Sequence, residues 1–190
     1  MNVQKMIFPG LLVGILSLIG IAGWLVASPT RVSSAAPPAR ARASTGSASL
    51  LSECSLSPSY PDSILQWCGL IDQYARENSV DSNLVSAVML QESAGRPDAY
   101  SKSGAVGLMQ VMPRDGKAAA FICKNGPCFS SRPSMSDLFD PEYNVAYGVR
   151  MLASLIREKG ELREALRAYG PVDVGYSYAD LVLDIMRDHQ

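Results

Sequence analysis

Glu92 is the residue whose position in this chain most needs a chemical reason. It closes the stretch VDSNLVSAVMLQES, where Val85, Val88, Met89 and Glu92 recur three, four and seven apart and so share one helical face. The rest of that face is apolar. A carboxyl group held there is costly to ionise, because desolvation disfavours the charged form and raises its pKa. An acid still protonated near neutral pH is what protonating a glycosidic oxygen requires. The plainer alternative is a glutamate that turns to the helix end and meets an arginine or a backbone N–H. Ser93 follows it directly.

Beyond Ser93 the periodicity breaks. Residues 94–113, AGRPDAYSKSGAVGLMQVMP, hold Gly95, Gly104 and Gly107, with prolines at 97 and 113. This composition predicts a turn-rich segment with room for a short hairpin, and it carries Gln110. Asp98 is the nearest second acid in sequence, but in RPDAY it reads as a turn former.

Helical patterns on either side must position these residues. From Pro61, the spacing of Ile64, Trp67, Cys68, Ile71, Tyr74 and Ala75 predicts one amphipathic helix to about Ser79, with Trp67 on its core face. Asp81 is a good N-cap for the helix that ends at Glu92. Asp140-Pro141 reads as an N-cap followed by proline at the first helical position, opening a helix with Val145, Gly148, Val149, Leu152, Leu155 and Ile156 on one side. After Gly160 a shorter helix carries Leu162, Ala165, Leu166 and Tyr169, and a last one from about Ser177 carries Tyr178, Leu181, Val182 and Ile185. No internal repeat is evident. Five helical patterns and almost no strand alternation predict a mainly α domain over residues 53–190.

The chain before that domain differs in kind. Residues 1–27 read as a membrane anchor, with a long cleavable export signal as the competing reading: residues 7–27 are uncharged and apolar, long enough for a membrane-spanning helix and longer than the usual apolar part of such a signal. Residues 28–52 are rich in Ser, Ala, Pro and Arg, the composition of a solvated linker. Residues 1–49 hold Lys5, Arg31, Arg40 and Arg42 and no acid. The 17 basic residues of the chain less those four leave 13 against 18 acidic ones in the remainder. A mildly acidic domain has no electrostatic footprint for nucleic acid. All four cysteines, Cys54, Cys68, Cys123 and Cys128, lie beyond the apolar segment, and an even count there predicts two disulfides in an oxidising compartment. Their spacing is poor for zinc, and the single histidine, His189, is in the tail. Cys123 and Cys128 bracket CKNGPC, whose Asn125-Gly126 is a turn signal.

Several separated motifs, in order, resemble the soluble lytic transglycosylase family of lysozyme-like enzymes that cleave peptidoglycan. They are Glu92-Ser93, Gly107-Leu108-Met109-Gln110, Pro113, Asp140-Pro141 with Asn144, Ala168-Tyr169-Gly170, and Tyr178, spread over residues 62–186. The resemblance implies a lysozyme-like transglycosylase fold with Glu92 as catalytic acid and base. It implies a substrate-binding set of Ser93, which orients that glutamate, Gly107 and Gln110 lining the cleft, Met109 beneath it, Asn144 bracing it, Tyr169 facing Glu92, and Tyr178 ahead of the last helix. The family's third motif is usually Ala-Tyr-Asn leading to Gly-Pro. Here Ala168-Tyr169 runs straight into Gly170-Pro171, so the asparagine's contact is absent or supplied elsewhere.

The resemblance also implies the reaction: cleavage of the β-1,4 bond between N-acetylmuramic acid and N-acetylglucosamine, with a 1,6-anhydro product and no metal or cofactor. Ordinary glycosidases use two carboxylates, and neither the Glu-Ser nor the Gly-Leu-Met-Gln motif holds a second. Two other functions fit the same residues: a hydrolysing, goose-type muramidase using Asp98, and a catalytically weak peptidoglycan-binding module of an envelope machine. In each case the expected partners are glycan strands and, through residues 7–27, a membrane. The expected place is the cell envelope outside the cytoplasm, with a secretion or other envelope complex left open.

Overall fold

The computed structural model of the protein describes residues 54–190. The expected membrane segment (7–27) and linker (28–52) lie outside the described residues. Among those described, seven α-helices follow in order: α1 Asp62–Leu65, α2 Cys68–Asn78, α3 Ser82–Ser93, α4 Met135–Leu138, α5 Pro141–Lys159, α6 Leu162–Tyr169 and α7 Ser177–Asp188. The architecture is mainly α, as expected. Two-residue strands β1 (Ile122–Cys123) and β2 (Gly126–Pro127) pair antiparallel across a Lys124-Asn125 turn, and Cys123 and Cys128 close this hairpin with a disulfide. None of the described helices is long and apolar enough to cross a membrane.

Helix starts follow their chemistry. The Asp81 side chain accepts the Asn83 N–H at 2.7 Å, and Asp140 accepts the Tyr143 N–H at 2.8 Å with Pro141 next in line. Each such cap stabilises its helix by about 1 kcal/mol. Helix α3 is central and packs against α2 and α7. Every residue from Leu84 to Met89 is buried, so α3 is enclosed almost all round and not on one face alone. Each large apolar side chain fully buried there contributes roughly 1.5–3 kcal/mol. The long helix α5 packs on α2 and α6.

Three expectations are corrected. The single helix expected from Pro61 is two, α1 and α2, separated by a tight turn in which the Trp67 N–H bonds the Ile64 carbonyl at 2.9 Å. Tertiary constraints outweigh the periodicity there. The Trp67 indole donates to the Gly95 carbonyl at 2.9 Å, and Cys68 is tied to Cys54 by the second disulfide. The second correction is Leu181, expected on the core face of α7 but 45% exposed. The third is the short helix α4, which has no apolar periodicity to reveal it. A capping box sets it instead: Ser134 accepts the Asp137 N–H while Asp137 accepts the Ser134 N–H.

Candidate active site

Glu92 is the penultimate residue of α3, half-buried where α3 meets α7. Tyr178, in the first turn of α7 and 7% exposed, donates its hydroxyl to Glu92 Oε1 at 2.5 Å. Two effects on the acid oppose each other. Burial raises its pKa and the tyrosine hydrogen bond lowers it; burial wins, and the carboxyl is pushed up from 4.5 to about 7. Burial also raises the pKa of Tyr178 and Tyr169, so both phenols stay protonated at working pH. No carboxylate contributes to the shift at Glu92, and Asp98 is exposed in the turn after α3.

The turn at residues 107–110 is held against this site from behind. Asn144, on α5 and fully buried, accepts the Met109 N–H at 2.8 Å and donates to the carbonyls of Val106 (2.9 Å) and Leu138 (2.8 Å). One amide thus satisfies three buried backbone groups. Gly107 has a φ of +75°, and a Cβ there would lie 2.3 Å from Asn144 Nδ2. Only glycine meets both conditions. The Ser93 hydroxyl donates to the Leu108 carbonyl at 2.8 Å and accepts the Gly95 N–H at 3.1 Å, tying the end of α3 to the same turn. Tyr169 donates to the Met109 carbonyl at 2.9 Å. Gln110 sits half-buried at φ +44°, its amide N–H groups held by the Ala99 and Gly107 carbonyls.

The family model of the transglycosylase SLT domain matches residues 69–173, more than half of the chain. The chain belongs to that family. The matched stretch contains Glu92, the 107–110 turn, Asn144 and Tyr169, and stops short of Tyr178. A curated relative, membrane-bound lytic murein transglycosylase E of Buchnera aphidicola, is 32% identical over 114 residues, covering 57% of this chain and 50% of the relative. The chain therefore spans about half the length of that relative. Among solved structures, the 70 kDa soluble lytic transglycosylase of Escherichia coli is 28% identical, over 63% of this chain and 18% of that one, with a TM-score of 0.43. An inactive mutant of the lytic transglycosylase Slt of Pseudomonas aeruginosa is 21% identical, over 64% and 21%, with a TM-score of 0.42.

In this SLT domain the expected substrate-binding set divides in two. Ser93 is 3% exposed, Met109 and Asn144 are 0% exposed, and Gly107 is buried. These four have no surface to offer a ligand, because their polar groups and volume are spent on holding the turn. They are positioning residues. Tyr169, expected to face Glu92, lies close enough for the Glu92 charge to act on it and gives its hydroxyl to the Met109 backbone, while Tyr178 makes the direct hydrogen bond. Tyr178 lies within α7 and not ahead of it. Ser93 makes no hydrogen bond to Glu92; its hydroxyl ties the end of α3 to the turn.

Gly170 carries a role the sequence signalled only as a departure from pattern. A Cβ there would lie 2.4 Å from the Tyr178 ring. The Tyr178 ring thus occupies the space that a side chain at this position would need. A side chain at position 170 would require the Tyr178 ring to shift.

Proposed function

We propose that this SLT domain is a peptidoglycan lytic transglycosylase in which Glu92 is the sole acid and base. The observation that carries this is a carboxyl raised to about 7 by burial, hydrogen-bonded to Tyr178, with no second carboxylate acting on it. Glu92 donates its proton to the bridging oxygen between N-acetylmuramic acid and N-acetylglucosamine, and the C1–O bond breaks. The 2-acetamido oxygen of the muramic sugar closes on C1 and takes up the positive charge. Glu92, now a carboxylate, removes the proton of the muramic C6 hydroxyl as O6 attacks C1 and displaces the acetamido oxygen. The product is a 1,6-anhydro sugar, Glu92 is protonated again, and no water is consumed. Tyr178 stabilises the carboxylate form between the two steps by donating to it.

The name of the Buchnera relative supports a place at the membrane, consistent with residues 7–27 as an anchor and the disulfide-bonded domain outside the cytoplasm. A hydrolysing mechanism through Asp98 gains no support from an exposed side chain that exerts no effect on Glu92. The shortened third motif, the main support for an inactive binding module, is answered by Tyr178 occupying the space beside Gly170.

The reading is tested by the pH dependence of muropeptide release from purified sacculi. The acid is protonated below its pKa, so the rate of release should fall as pH rises through about 7. Tyr178→Phe removes the hydrogen bond that lowers this pKa. Its alkaline limb should move to higher pH while turnover drops roughly tenfold or more, the worth of one hydrogen bond to a charged group. Gly170→Ala, which forces the Tyr178 ring aside, should reproduce both changes. A limb unmoved in both variants would remove Tyr178 from the account.

A further inference from the structure

A second feature lies on the outer side of α5. Arg132, Tyr147, Arg150, Met151 and Ser154 line an open hollow of about 280 Å³, and neither Glu92 nor Tyr178 borders it. Its two guanidinium groups are held by neutral neighbours. Arg132 Nη1 lies 2.9 Å from Met151 Sδ, with the guanidinium 5.7 Å from the Phe129 ring centroid, and Arg150 lies 5.9 Å from that of Tyr147. Among the described residues neither arginine is ion-paired, which is also true of Arg76, Arg96, Arg114 and Arg157. Glu142, in the first turn of α5, accepts from the Tyr74 hydroxyl at 3.0 Å. What sets Arg132 and Arg150 apart is that both line one concavity and rest on aromatic or thioether surface. Arginine resting on aromatic and thioether surface keeps its fork of donors free and loses little freedom on binding a carboxylate.

The hollow shares α5 with a residue that backs the turn at residues 107–110. Gly148 of α5 backs the site so closely that a Cβ there would lie 2.5 Å from Met109 Cβ and 3.4 Å from Tyr169 Oη. Tyr147 adjoins Gly148, and Met151 is three residues on, roughly 4.5 Å along the helix. The Arg132 charge is felt at the Tyr169 hydroxyl. A glycan strand passing Glu92 carries acidic peptide stems on the lactyl groups of its muramic sugars, so carboxylates project sideways from the sugar chain. We propose that Arg132 and Arg150 form a subsite for the carboxylates of these stems, beside the bond that Glu92 cleaves. This rests on the function proposed above.

The test is equilibrium binding of the Glu92→Gln protein to three soluble glycan preparations: strands with stems, strands stripped of stems by an amidase and then amidated at the lactyl carboxylates this frees, and strands whose stem carboxylates have been chemically amidated. Adding Arg132→Gln and Arg150→Gln should weaken binding to the first about tenfold, one ion-paired hydrogen bond's worth, and leave the other two unchanged. Added salt should erode the advantage of the first preparation. Equal weakening on all three, or none on any, would overturn the subsite. Arg150→Gln alone, at an exposed position, should give a smaller loss in the same direction without disturbing the fold. A wild-type digest run in parallel separates the two readings: no released muropeptide, with the stem-dependent binding difference intact, would count against the enzyme and leave the subsite standing.

Discussion

Glu92→Gln should lower muropeptide release by roughly 10²–10⁴-fold, the usual contribution of a positioned general acid–base group, and should make the protein more stable in alkaline solution. Both effects have one cause. The folded-state pKa is raised from 4.5 to about 7 by burial, so the folded protein holds this proton more tightly than the unfolded chain does. The corresponding stability is fully present below about pH 4.5 and is lost as pH rises through about 7. At about 1.4 kcal/mol per pK unit the loss is on the order of 3 kcal/mol. Glutamine keeps the shape and an oxygen to accept from Tyr178 but never carries the charge. Chemical denaturation at pH 4 and pH 8 should show wild type losing stability relative to the variant at the higher pH, with the two converging at the lower. Parallel pH dependences in the two proteins would mean that Glu92 is not a buried acid.

Asn144→Ala should be the most damaging change away from the carboxyl. It strands the Met109 N–H and the carbonyls of Val106 and Leu138, all served by one side chain that is 0% exposed. An unsatisfied buried polar group costs about 1–3 kcal/mol, and partial relaxation of the three leaves an expected loss of roughly 3–5 kcal/mol. Asn144→Asp should fare little better, since it removes the donor to both carbonyls. Urea denaturation measures this directly; a loss under about 1 kcal/mol would show that the turn at residues 107–110 stands without its brace. The same variant should lose cleavage even below its unfolding temperature, because Tyr169 and Ser93 both anchor to that turn.

The helices and their starts were legible because their causes are local. Asp81 and Asp140-Pro141 announce helix origins through the side chains that cap them, and the apolar spacing around Val85 and Val149 marks what is buried. Glu92 was legible for the same reason: a carboxylate at a core spacing is a local anomaly. What sequence could not assign was which neighbour each polar group meets across the fold. Tyr169 and Tyr178 look alike in sequence, yet one serves a backbone carbonyl 60 residues away and the other the carboxylate. Asn144 reads only as a brace for the cleft, with no partner named, until its three hydrogen bonds are assembled. Gly170 registered only as an irregularity, since its meaning is the space taken by the Tyr178 ring. The break at Trp67 escaped notice because a disulfide and an indole hydrogen bond, both long-range, override an unbroken helical period.

The most direct test of a lone carboxylate that uses the substrate's own hydroxyl is digestion of sacculi in water enriched in heavy oxygen, with the products weighed by mass spectrometry. The account predicts 1,6-anhydro muropeptides, one water lighter than reducing-end sugars and free of label. Reducing ends carrying the heavy oxygen would contradict it.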